Sequence, residues 1–147
     1  MLIKRLRTGD REQARTLFTL MAGVFETGIE PLSDEYLGGL LGREGFWALA
    51  AFVDDTIVGG LTGHALPVTR TAAHELFVYD IAVQPDQQRK GVGRALLRDL
   101  QAQALAAGIR ELFVLADNED RHALDFYRAL GGHATPVTMF GFAPDGL

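Results

Sequence analysis

The sequence predicts one mixed α/β domain, and three observations point to it. Its 147 residues are 48% hydrophobic and 22% charged, which suits one globular domain able to bury about two-thirds of its unfolded surface. Apolar residues alternate in some segments and recur at helical spacing in others. No repeat, low-complexity stretch or linker interrupts the chain, so residues 1–147 read as a single domain.

The elements follow in order. Leu2-Ile3-Lys4-Arg5-Leu6-Arg7 alternates in part and suits a short edge strand. Asp10 is placed to cap a helix in which Ala14, Leu17, Phe18, Met21 and Phe25 share a face, and Glu26 to Pro31 ends it. Ser33 reads as a second N-cap, before a short helix striped by Tyr36, Leu37, Leu40 and Leu41. Phe46 to Val53 is a buried strand, and Asp54-Asp55 turns it into a partner over Thr56 to Leu66. Gly59, Gly60 and Gly63 in that partner predict a bulge or the close passage of another backbone.

Pro67 to Ala73 is a loop, and His74 to Val83 is an apolar strand stopped by Pro85. Gly91 to Ala107 is a helix packed through Leu96, Leu97, Leu100 and Ala104, with Gly108 suited to the position past its end. Leu112 to Ala116 is a strand. Arg121 to Leu130 is a helix with Ala123, Phe126, Tyr127 and Leu130 on one face, closed by Gly131-Gly132. Alternation over Pro136 to Phe142 predicts a last strand. The order is β-α-α-β-β-β-α-β-α-β.

Composition excludes several functions. Lys and Arg number 14 against 19 Asp and Glu, for a net charge of −5. That balance argues against bulk nucleic-acid binding and favours a cationic ligand. With no cysteine there is no disulfide, thiolate zinc site or catalytic thiol. His64, His74, His122 and His133 lack the spacing of a metal-binding helix, so no metal is expected. The basic start carries no apolar run of a secretory signal, and no segment reaches the roughly 20 apolar residues of a membrane helix. A cytoplasmic protein without membrane contact is expected.

The most informative segment runs from Gln84 to Arg94, between a strand that stops and a helix that starts. Backbone N–H groups in a first helical turn lack partners and carry the positive end of the helix dipole, so they attract anions. Gly91 and Gly93 remove the Cβ atoms that would hold a phosphate away. Arg89, Lys90 and Arg94 add positive charge. The same residues also fit a plain glycine-softened helix start with a solvated basic face.

These residues resemble a known family. Gln88-Arg89-Lys90-Gly91-Val92-Gly93 looks like the Q/R-x-x-G-x-G/A motif with which the GNAT N-acetyltransferases grip the pyrophosphate of acetyl-CoA. Upstream, Asp80-Ile81-Ala82-Val83 is similar to that family's fourth strand. Downstream, Ala123 to Gly131 is similar to its A-x-x-x-Y-x-x-x-G tail. The resemblance implies a GNAT fold with a central mixed, mostly antiparallel sheet flanked by helices, and acetyl-CoA as cosubstrate. It implies Gln88, Arg89, Lys90, Gly91, Val92, Gly93 and Arg94 as cofactor contacts, with Phe126, and with Ile81, Ala82 and Val83 acting through their backbone.

Asp80 is the one carboxylate in an apolar strand, and burying it unpaired is costly. Its side chain either accepts bonds from backbone amides at a bulge or has a task. The resemblance implies the task, placing Asp80 beside the reacting amine as general base, acting directly or through a water. It likewise implies Tyr127 as the acid that protonates the departing thiolate; spacing alone leaves Tyr127 a core aromatic. The missing cysteine fits direct transfer in a ternary complex. His64 is a reserve base, His74 sits at a strand entrance, and His122 and His133 lie on the surface.

The stretch from about Asp34 to Phe142 is similar to aminoglycoside 3-N-acetyltransferases of the GNAT type, through Pro31 to Leu37, Ala48 to Phe52, Tyr79 to Val83 and Ala116-Asp117. That resemblance implies a polycationic amine substrate in an acidic, polar site with little apolar lining. Glu30, Asp34, Asp117, Glu119 and Asp120 are the acids expected to bind it, with Asp80; each taken alone also fits a solvated surface. Most of the wider family has Asn where Asp120 stands, so an Asp there weakens an amide contact to the cofactor that Asn118 partly supplies. A GNAT enzyme for another amine (polyamine, small metabolite or peptide N-terminus) and a non-catalytic acetyl-CoA module remain as alternatives. Oligomeric state is not written in the sequence; homodimers are frequent in the family it resembles, and the final strand is the candidate interface.

Overall fold

The hairpin turn at Asp54-Asp55 organises the sheet, because both residues hold positive φ, 49° and 63°, as a two-residue hairpin loop requires. It joins β2 (Phe46–Val53) to β3 (Thr56–Pro67), which pair antiparallel. On the outer side of β2 lies β1 (Leu2–Arg5), and β4 (His74–Val83) pairs with β3; both are antiparallel. The fifth strand, β5 (Glu111–Val114), runs parallel to β4 and completes the order β1-β2-β3-β4-β5. The sheet is mixed and mostly antiparallel, as expected.

The structure, a computed structural model, describes residues 1–146, which cluster into one unit over Met1–Leu115 and a second beginning at Ala116. In the first unit, α1 (Arg11–Val24) covers one sheet face, burying Ala14, Leu17 and Met21 against Phe46, Ala48, Ala50 and Ala82. Helix α2 (Asp34–Leu41) extends that layer through Leu40 and Leu41. Ser33 caps it as predicted, its hydroxyl accepting the Tyr36 N–H at 3.0 Å. On the opposite face α3 (Val92–Ala106) buries Leu96, Leu100 and Ala104 against Leu49, Leu61, Leu76 and Val78. Each fully buried leucine contributes about 1.5–3 kcal/mol. Two apolar layers on one sheet make a core without staples.

Two expectations need correction. Asp10 precedes α1 but does not cap it. Its carboxylate turns back to accept the Arg7 N–H at 2.8 Å and the Lys4 ammonium at 2.9 Å, bonds that lower its pKa. The predicted strand over Pro136 to Phe142 does not form. The segment pairs with no strand among the described residues, and Val137, Met139, Phe140 and Phe142 are 72–79% exposed. Alternation suits a half-buried strand, but the ladder also needs a partner for its N–H and C=O groups.

The glycines of β3 behave as read. Register slips where Ala51 pairs with Gly59 and Phe52 with Ile57, leaving Val58 as an extra residue. At Gly60 a Cβ would stand 2.4 Å from Leu17 Cδ1 and 2.6 Å from the Leu49 carbonyl oxygen. Gly60→Ala is therefore expected to destabilise the fold by about 1–3 kcal/mol through overpacking. Gly39→Ala, in α2 with nothing within 4 Å of the new Cβ, is expected to be neutral or slightly stabilising. Urea unfolding followed by circular dichroism compares them; equal midpoints would mean that α1 does not seat on Gly60.

The second unit contains α4 (Arg121–Ala129). Asp120 caps it by accepting the Ala123 N–H at 3.0 Å. Gly131, at φ 92°, ends it, and the Gly132 N–H returns to the Tyr127 carbonyl at 2.9 Å. Among the described residues no helix is long and apolar enough to cross a membrane.

Candidate active site

A second register slip builds the site. Thr62 pairs with Asp80 but Gly63 pairs with Val78, so Tyr79 is an extra residue in β4. Before it, Leu76 and Val78 pack on the α3 face; after it, Ile81 and Val83 do. The bulge thus changes the parity of the strand. Without it Asp80 would point into the α3 layer with Val78. With it Asp80 shares the α1 face with Ala82.

Asp80 is half-buried there, and burial raises its pKa above the ordinary carboxylate range. No hydrogen bond or ion pair among the described residues reaches it. The bulge is present, but the backbone amides that would have given Asp80 a purely structural role are not bonded to it. A desolvated, unpartnered carboxylate is suited to accepting a proton or holding a cation.

The same strand has an open edge. β5 pairs with β4 only from Glu75 to Val78. From Tyr79 to Val83 that side has no strand partner among the described residues, while β3 still holds the other side. Alternate residues of a strand turn their backbone groups to opposite edges. Gln84 N–H bonds the Val58 carbonyl of β3, and the Ala82 carbonyl lies beside Gly59. Ile81 and Val83 are therefore the residues that face the open edge, where an extended ligand can bond.

Beyond Val83 the chain makes one short turn, Pro85–Gln87, and enters α3 through Gly91. Gly91 has φ 85° and nothing within 4 Å of where a Cβ would lie. The first backbone bond of the helix runs from Ala95 N–H to Gly91 O at 3.0 Å. The N–H groups of Val92, Gly93 and Arg94 are thus without acceptors, and no side chain caps the end. Buried Val92 anchors the turn, while Arg89, Lys90 and Arg94 are exposed around it. Arg89 itself holds positive φ, 62°. Gln88 turns back, its Nε2 donating to the Val83 carbonyl at 3.0 Å, so it ties the loop to β4. An open, positively charged nook of unpaired amides fits a diphosphate.

The acidic residues are less uniform than their sequence suggests. Asp34 is taken up by Arg15 and lies 4.0 Å from Arg11, so it pins α2 to α1. Glu30 is exposed in the α1–α2 connection. In the second unit Asp117 accepts the Glu119 N–H at 2.8 Å, Asp120 is a helix cap, and Asn118 and Glu119 are exposed. Tyr127 is half-buried on α4, its ring 5.2 Å from that of Phe126.

One expectation fails at Asp80: the surroundings are not purely polar. The rings of Phe77, Tyr79, His64 and Phe46 follow one another on the Asp80 face, with centroids 5.5–5.9 Å apart. Phe77 and Phe113 carry no distinguishing mark in the sequence, where β4 and β5 read as core strands.

The chain matches the model of the acetyltransferase (GNAT) family over residues 13–131. It belongs to that family. Its fold is the GNAT fold. Two solved structures from uncultured soil metagenomic samples are similar over nearly the whole chain. One is the aminoglycoside acetyltransferase meta-AAC0020, with TM-score 0.92 and 32% identity, covering 97% of this chain and 95% of that one; it has also been seen in complex with sisomicin. The other is the aminoglycoside acetyltransferase HMB0005, with TM-score 0.90 and 30% identity, covering 97% of each. The ribosomal protein bS18-alanine N-acetyltransferase of Escherichia coli (strain K12) is 34% identical over 67 residues, 46% of this chain and 45% of that protein. This chain thus spans less than half the length of the curated relatives it matches.

Proposed function

We propose that this GNAT enzyme acetylates an aminoglycoside at an amine, the 3-amino group, using acetyl-CoA as donor in a direct transfer within a ternary complex. The observation that carries it is Asp80, an unpartnered, half-buried carboxylate placed by a bulge on the same strand whose far end leads into the anion-binding nook. The family, and its aminoglycoside-acetylating members with TM-scores of 0.90 and above, support the substrate class.

Each residue then has a task. The amides of Val92, Gly93 and Arg94, with Arg89 and Lys90, hold the diphosphate; Gly91 gives it room. Ile81 and Val83, with Ala82 between them, carry the extended arm along the open edge of β4, and Phe126 and Asn118 add contacts. When bound, acetyl-CoA supplies an activated acetyl carbonyl on a thiol leaving group. Asp80 Oδ takes a proton from the substrate ammonium, directly or through a water, so that nitrogen can form the new C–N bond. Its raised pKa narrows the gap to the amine it deprotonates. Tyr127 Oη returns a proton to the sulfur as the C–S bond breaks. Glu30, Asp117 and Glu119 attract the remaining ammonium groups of the substrate. The exposed apolar segment over Val137 to Phe142 serves as the contact in a homodimer.

A second reading is acetylation of a peptide N-terminus, favoured by the similarity to the alanine N-acetyltransferase. Release of CoA from acetyl-CoA is measured with sisomicin, gentamicin, spermidine and a peptide beginning with alanine. Aminoglycosides are expected to exceed the others in kcat/KM by about tenfold or more, the discrimination that one well-filled pocket supplies. A faster reaction with the peptide or spermidine would displace the aminoglycoside assignment. Product NMR then fixes the amine.

A further inference from the structure

Aromatic side chains in a sheet are ordinarily covered, yet a row of them beside Asp80 stands open. Register places Phe77 opposite His64 of β3 and beside Phe113 of β5. The Phe77 and Phe113 rings stack face to face, 4.9 Å apart and 4° from parallel. Tyr79 lies 5.5 Å from Phe77 and meets His64 edge-on at 5.9 Å. His64 in turn leans on buried Phe46. Tyr79 is 59% exposed and Phe113 39%. Scattered surface aromatics need no explanation, but a contiguous row running through Tyr79, the residue beside an unpartnered carboxylate, does.

The bulge that turns Asp80 to this face also sets Tyr79 among these rings. A core role does not explain the arrangement, since the α1 layer packs on Phe46, Ala48, Ala50 and Ala82 instead. Aromatic ring faces carry negative charge density, which attracts polarised C–H groups and neighbouring ammonium ions. A linear polyamine offers the charge without a flat face and loses more freedom when bound.

We propose that Tyr79, Phe77 and Phe113, backed by His64, form an acceptor platform. It takes the C–H face of a ring bearing ammonium groups and selects cyclic polyamines over linear ones of equal charge. The proposal deepens the acetyltransferase reading and rests on Asp80 receiving the amine.

The test uses two diamines of equal charge, cis-1,3-diaminocyclohexane and 1,5-diaminopentane, which separate ring recognition from the aminoglycoside assignment. Wild type is expected to prefer the cyclic diamine by about tenfold in kcat/KM, with the difference carried by KM. Tyr79→Ala and Phe113→Leu are expected to bring that ratio close to one, and Tyr79→Phe to restore it, since the ring rather than the hydroxyl does the binding. A ratio near one in wild type, or one that survives Tyr79→Ala, overturns the platform.

NMR gives a readout independent of turnover. Ring C–H signals of the cyclic diamine should shift upfield on wild type and not on Tyr79→Ala; equal behaviour on both proteins overturns the proposal. CoA release from no amine at all would refute the enzymatic reading, while these shifts still judge the platform.

Discussion

Asp80→Ala is expected to lower turnover with its best amine by roughly 10²–10⁴-fold, the usual contribution of one proton-transferring group, while acetyl-CoA affinity stays close to wild type. The split follows from the geometry. Asp80 contributes a carboxylate on the α1 face at the bulge, whereas the nook at the head of α3 is built from backbone amides and the flanking basic residues. Steady-state kinetics gives the first quantity and calorimetry with acetyl-CoA the second. Turnover unchanged in Asp80→Ala would remove the base from the mechanism.

The pH dependence of that carboxylate follows from its burial. Because the folded pKa is raised, the native state holds a proton that the unfolded chain has already lost in the window above the ordinary Asp value. Stability contributed by Asp80 is therefore present at low pH and declines as pH rises through that window. At neutral pH the ionised group is a cost to the fold. Asp80→Asn should accordingly unfold at a higher temperature than wild type at pH 7 while losing turnover, and the gain should vanish at acid pH. Activity moves oppositely, rising as Asp80 ionises. A group selected for stability would not show these opposed profiles.

What the sequence made legible was local chemistry. Ser33 before Asp34-Glu35 announces a cap, and Asp54-Asp55 between apolar runs announces a turn, because each is satisfied within a few residues. Gly91 before Val92 was readable for the same reason: the positive φ and the unpaired amides belong to one turn of chain. The bulge at Tyr79 was not readable. Apart from Asp80, Leu76 to Val83 is apolar on both faces, so its alternation does not show where the parity changes and Asp80 turns toward α1. Partners distant in sequence were hidden too. Asp34 reads as a substrate acid until Arg11 and Arg15 fold beside it, and Asp10 reads as a helix cap until Lys4 competes for it. The alternating segment from Pro136 failed as a strand because its pairing depends on what lies alongside.

Gly91→Glu should abolish acetyl-CoA binding. Two effects act together, and they separate by substitution. Any L residue at φ 85° carries roughly 1–2 kcal/mol of strain in this left-handed region, so Gly91→Ala should lower the melting temperature although its Cβ meets nothing within 4 Å. Glu adds a negative charge where the proposed ligand is negative. At 4 Å and an effective dielectric near 20 that repulsion is about 4 kcal/mol, equivalent to roughly a thousandfold in affinity. Calorimetry should therefore rank wild type above Gly91→Ala, and Gly91→Ala well above Gly91→Glu, with added salt narrowing the second gap by screening. If Ala and Glu lose affinity equally, the nook acts through its shape alone. If Glu binds acetyl-CoA as wild type does, the diphosphate lies elsewhere and the path from Val92 to Asp80 no longer connects a cofactor to a base.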